Sequence, residues 1–107
     1  EGESSAEILQ RVMIARNMQA ERFKGTNITS NATIPPAMVK QMCRTTPAAQ
    51  KVLEKAFKSL GLSARSYDKI LKVARTIADL ACSDNITVEH ISEAINYRNL
   101  DRAGWAG

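Results

Sequence analysis

Aromatic residues are scarce in this chain of 107 residues: two Phe, two Tyr and one Trp make up 5% of it. A core with so few rings must rest on Ile, Leu, Val, Met and Ala, which favours packed helices. Cysteine is nearly as rare. Cys43 and Cys82 lie far apart, no CxxC pair occurs and His90 is the single histidine, so the ligand clusters of a zinc site are lacking and no metal is expected. Both cysteines read as small core residues in a reducing, cytoplasmic compartment. No apolar run approaches membrane-spanning length, and the start lacks the charged and apolar regions of a signal peptide. Neither membrane contact nor export is expected. No stretch alternates with the period of a half-buried strand, and no internal repeat is found. There is no GxxxxGK[ST] phosphate loop, and serine, histidine and acids are nowhere spaced as a nucleophile with its base. Catalysis by the chain alone is therefore not expected.

What is present suits a single domain with a modest core, 44% hydrophobic and 24% charged. The formal net charge is +4, unevenly spread. Nine lysines and arginines lie between Pro35 and Arg75 against only Glu54 and Asp68, while acids outnumber bases after Thr76. A basic middle suits anionic ligands, nucleic acid or an acidic neighbouring subunit, and solvated helix faces account for it equally well.

The helical punctuation is strong. Ser4 with Glu7 forms a capping box for a first helix whose stripe is Ile8, Val12, Ala15 and Phe23, with Gln19 set inside it. Leu9, Met13, Ile14 and Met18 lie off that stripe, and a helix apolar on several sides is normally covered on several sides. The expectation is a surface left bare where a partner domain is missing. Lys24 to Thr33 reads as a loop, and its Asn27-Ile28-Thr29 sequon as chance. Pro35 and Pro36 open a short helix carrying Met38, Val39 and Met42. Thr46 and Pro47 open the next, with Val52, Leu53, Ala56, Phe57 and Leu60 as its buried face, and Gly61 with Leu62 closes it. Thr87 caps the last helix, Ile86 and Ile91 form a hydrophobic staple, and Ala94, Ile95 and Leu100 continue its buried side. Residues 103–107 read as a frayed tail. The fold class is all-α, four main helices and one short one in a small bundle.

A long amphipathic helix spans Ser63 to Ala81, with Ser63 as N-cap and Tyr67, Ile70, Leu71, Ala74, Ile77, Ala78 and Ala81 on one face. Arg65, Lys69 and Lys72 form a cationic ridge on the opposite side, ending at Thr76. Arg65 falls in the first turn, where the helix dipole disfavours a positive charge by about 0.3–1 kcal/mol. An anion sharing the site would relieve that cost; a solvated arginine at a frayed end is the other reading. Arg75, with Asp79 four residues on, reads as a structural ion pair.

Ser63-Ala64-Arg65 followed by Lys69 to Leu80 resembles the C-terminal helical segment of the magnesium-chelatase-related AAA+ ATPases, in the ComM/YifB competence-protein branch. The likeness extends to Arg11-Val12, Arg16, Gln19 and Arg22, to Asn31-Ala32 and Leu60-Gly61-Leu62, and to Tyr97-Arg98 and Leu100-Asp101-Arg102. It implies that residues 1–107 are one helical lid domain, a fragment of a longer protein. In that family the arginine opening the long helix is the sensor-2 residue reaching the terminal phosphates of ATP, and Arg65 matches it. The resemblance thus implies ATP, with Mg in the parent protein, near Arg65 and Ser63. It further implies an AAA+ core domain in the same chain, neighbouring subunits of a ring, and for ComM-type parents an action on DNA. Tight nucleotide binding by the fragment is not expected.

Two alternatives stand beside it. Lys51, Lys55 and Lys58, with Lys69 and Lys72, could serve a nucleic-acid-binding module, since helices joined by a sharp Gly turn are the elements of a helix-turn-helix. The chain could also be the lid of a true magnesium chelatase subunit, although Arg-Thr-Ile-Ala-Asp-Leu and Tyr-Arg-Asn-Leu-Asp-Arg resemble the ComM branch better.

Overall fold

Ser4, Thr46 and Ser63 each stand one residue before a helix and accept a bond from one of its free N–H groups. In the computed structural model, which describes residues 2 and 4–100, the first of them opens α1, Ser5–Arg22. Its capping box is closed in both directions: Glu7 N donates to Ser4 Oγ at 3.2 Å and Ser4 N donates to Glu7 Oε1 at 2.9 Å. After a polar connection come α2, Pro36–Met42, and α3, Pro47–Leu60, each with proline at its start. The long helix α4 covers Ala64–Leu80, and α5 covers Val88–Leu100. Four long helices and one short one make the expected all-α bundle. The single β-bridge among the described residues joins Thr45 to Ile86, clipping the connection before α3 to the connection before α5.

Two left-handed residues set the corners of α4. Gly61, at φ +60°, ends α3, and Leu62 N bonds back to Phe57 O at 3.1 Å. Only Leu62 and Ser63 then separate that turn from α4, so the start of α4 is tied to the end of α3. At the other end Cys82 takes φ 58°, and Ser83 N bonds back to Ala78 O at 2.8 Å. α4 packs on α5, α1 and α2, while α3 packs mainly on α5. The core closes around Leu53, Ile70, Ala74, Ala78, Ile86, Ile91 and Ala94, all fully buried. Each of its large aliphatic side chains contributes about 1.5–3 kcal/mol through burial.

Several expectations need correction. Phe57 and Leu60 are exposed, as are Ile8, Ala81 and Leu100. Phe57 keeps an edge-to-face contact with the Tyr67 ring of α4 at 5.4 Å, and Ile8 lines an open groove beside α4 and α5, so both are covered on one side only. Cys82 is exposed too, because a left-handed residue after a helix points its side chain off the packed face; Cys43 is buried. Within the polar connection Asn31–Thr33 forms a 3-10 turn, closed by Thr33 Oγ1 donating to Ser30 O at 2.9 Å. At α5 the reach back to Thr87 comes from His90, whose Nδ1 accepts from Thr87 N at 3.0 Å. The expected frayed tail, 103–107, lies outside the described residues.

Candidate functional site

The solvent side of α4 is the wall of an open groove of about 900 Å³. Arg65, Lys69 and Lys72 line it at steps of four and three residues, with Asp68 as the acid among them and Thr76 at the far end. Ala32 and Pro36 form one flank and Tyr97 of α5 another; Ala64, Val73 and Ile77 add apolar surface. Lys72 Nζ reaches Ala32 O at 3.5 Å, so the ridge touches the opposite flank. The structure thus brings the three predicted cations of α4 together in one concavity.

Arg65 is exposed in the first turn of α4. No hydrogen bond or ion pair is found for it among the described residues. Its backbone is nonetheless fixed, because Ser66 N donates to Ser63 Oγ at 3.1 Å and Ser63 Oγ donates to Ser66 Oγ at 3.2 Å. Ser63 therefore spends its hydroxyl on the cap. The result is a held helix end carrying an exposed guanidinium, a group that can grip a planar array of oxygens bidentately. Lys51, Lys55 and Lys58 are exposed on α3 and do not line this groove.

Behind the groove lies a buried polar cluster centred on Asp79, which is fully buried. Arg22 Nη2 donates to Asp79 Oδ1 at 2.7 Å and Arg22 Nη1 to Oδ2 at 2.8 Å. Asn31 Nδ2 donates to the same Oδ2 at 2.9 Å and to Thr76 Oγ1 at 3.0 Å. Arg75 Nε donates to Asp79 Oδ1 at 3.1 Å, confirming the expected ion pair. The rest of that guanidinium holds the turn after α4, through Ser83 O at 2.6 Å and Asp84 O at 2.7 Å. Burial pushes the Asp79 carboxyl upward, but the bonds from Arg22 and Asn31 and the charges of Arg75 and Arg22 outweigh it and hold it below its ordinary value. Burial likewise pulls the Arg75 guanidinium down, with Asp79 opposing the shift. Arg22 and Asn31 were not singled out from the sequence as partners of Asp79, although both fall among the residues that carry the family resemblance. The cluster bolts α1 and the 3-10 turn, hence the Ala32 flank of the groove, to α4.

Among the described residues no group of three or more His, Cys, Asp or Glu side chains is placed to hold a metal, and no helix is long and apolar enough to cross a membrane.

A family model described as "Magnesium chelatase, subunit ChlI C-terminal" matches residues 2–98. Over 101 residues, 94% of the chain, the sequence is 46% identical to the uncharacterized protein YifB of Escherichia coli (strain K12). Over the same length it is 39% identical to competence protein ComM of Haemophilus influenzae and 39% identical to YifB of Salmonella typhimurium. The chain spans 19% of the length of each of these relatives. No solved structure matches it.

Proposed function

The chain belongs to the family of C-terminal domains of the magnesium chelatase subunit ChlI, and from that premise we propose that it is the helical lid of a larger AAA+ ATPase, with Arg65 as the sensor-2 arginine. The observation that carries this reading is the state of Arg65: an exposed cation on a capped, cornered helix start, leading into a groove lined, among the described residues, by Arg65, Lys69 and Lys72 with Asp68. These residues fit the phosphate end of a nucleotide. They fit no more of it, because the chain has no phosphate loop. The adenine nucleotide and its Mg would be held chiefly by a core domain in the same polypeptide, whose ATP supplies the phosphoryl chemistry. Arg65 would bind terminal phosphate oxygens and neutralise their charge; Lys69 and Lys72 would keep the approach positive. The apolar flanks of the groove would exclude water as the lid closes. On this reading the parent is a cytoplasmic, ring-forming motor; the name of the Haemophilus relative, competence protein ComM, supports the ComM branch, and an action on DNA rests on the family resemblance alone.

The test is direct. In the parent protein Arg65→Ala should lower ATP turnover on the order of 100-fold, the scale of losing one charge-stabilising donor, and Arg65→Lys should restore part of it. An unchanged rate removes the assignment. The isolated chain should bind ATP only weakly, and a micromolar affinity by calorimetry would refute the division of labour with a core domain.

The exposed lysine row of α3 supports a second reading, direct contact with nucleic acid through Lys51, Lys55 and Lys58. Against a helix-turn-helix, α3 and α4 each pack mainly on α5. A salt-dependent mobility shift of duplex DNA by the chain alone would favour this reading.

A further inference from the structure

Along the first half of α1, Leu9 is 59% exposed, Met13 56% and Ile8 45%, and Leu80 at the end of α4 is 41% exposed. These are large apolar side chains on neighbouring elements. Ile8, Val12, Ile77 and Leu80 line an open groove of about 560 Å³ between α1, α4 and α5, together with the charged Arg11, Glu89 and Glu93. Leu9 and Met13, four residues apart on α1, extend the apolar surface outward from it. Ile77 also lines the Arg65 groove, so the two concavities adjoin along α4. An apolar surface of this kind marks a contact site rather than ordinary exposure.

We infer that this strip is the seat of the polypeptide that precedes the domain in the parent protein. The relatives are about five times as long as this chain, which spans 19% of each, and the matching family is one of C-terminal domains. Most of such a protein therefore lies upstream. The α1 part of the strip, Ile8 to Met13, lies within three turns of the Ser4 cap, at the end of the domain that an upstream segment would join. A segment tethered there has an effective concentration in the millimolar range, so modest apolar contact suffices to hold it. Because the strip adjoins the Arg65 groove, one body could lie along the length of α4 and meet both. The inference rests on the domain being part of a longer chain, as the lid reading does, and not on the role of Arg65.

Cysteine labelling in the intact parent tests it. In a parent whose other reactive cysteines are replaced, Cys82→Ser among them, Met13→Cys should react with a maleimide at least about tenfold more slowly than Ser59→Cys, an exposed position on α3 away from the strip, as expected for a site that must open before it reacts. Adding Leu9→Asp should bring the Met13→Cys rate up towards that of Ser59→Cys, while Arg65→Ala should leave it slow. Dilution of the parent should change nothing. Equal rates at the two positions would overturn the proposal. Slow labelling that disappears on dilution would also overturn it, assigning the strip to a second copy. If Arg65→Ala leaves ATP turnover unchanged while Met13→Cys stays protected, the sensor assignment fails and the docking surface stands.

Discussion

Arg22 and Asp79 stand 57 positions apart and meet through two parallel hydrogen bonds of 2.8 and 2.7 Å, with the carboxylate fully buried. This fork ties the last turn of α1 to the last turns of α4. Asn31 and Arg75 donate to the same carboxylate, so three donor residues share one negative charge. Such a pair adds little over an apolar substitute of the same shape, but breaking it strands a buried charge.

Asp79→Ala should therefore destabilise the domain by about 3–5 kcal/mol, because Arg22 and Arg75 lose their common partner. Urea denaturation of the variant should show a much lower midpoint or no folded baseline. A midpoint within error of the parent sequence would mean that the cluster is solvated in solution.

Acid should act through the same residue. The Asp79 carboxyl is held below its ordinary value in the folded state, so the stability it adds is fully present above the ordinary carboxylate range. It is lost as pH falls through the lowered folded value, when the unfolded chain already binds the proton. Stability measured from pH 6 downward should fall, and Asp79→Asn should flatten the part of the slope due to this group. The same slope in both proteins would assign acid sensitivity elsewhere.

The two cysteines should separate by reactivity. Burial pushes the Cys43 thiol up to about 11, whereas Cys82 lies exposed. At pH 8 a disulfide-exchange reagent should therefore modify Cys82 promptly and Cys43 only on unfolding in denaturant. Prompt reaction of both thiols would show that the region around Cys43 opens readily.

Gly61 and Cys82 occupy nearly the same left-handed backbone, at φ 60° and 58°. One has the residue that adopts it freely and the other does not. Gly61→Ala should cost about 1–2 kcal/mol of stability, although no atom crowds the added methyl group. Cys82→Gly should be stabilising, by up to about 1 kcal/mol after the entropy of the unfolded glycine is counted. Shifts in the urea midpoint give both signs, and a more stable Gly61→Ala would contradict the turn geometry.

The sequence by itself determined the helices, their starts and the corner before α4, because those features depend on neighbours within three or four residues. Ser4 and Glu7, Thr46 and Pro47, and Ser63 signal caps through bonds that never leave the local chain. The amphipathic spacing of α4 likewise put Ile70, Leu71, Ala74 and Ala78 inside and Arg65 outside. Only the tertiary structure decided which faces find a cover. Periodicity marked Phe57, Leu60 and Ile8 as apolar, but it does not say whether another element covers that face in full, and all three stay exposed. It also decided that Asp79 would be a hub, since two of its three partners, Asn31 and Arg22, come from 48 and 57 positions away. In the same way the walls facing Arg65 come from Ala32, Pro36 and Tyr97, residues whose spacing along the chain says nothing about a shared groove. Local hydrogen bonding and side-chain period are written in order along a chain; the meeting of distant surfaces is set by packing angles and helix lengths, which a single sequence encodes only through the whole fold.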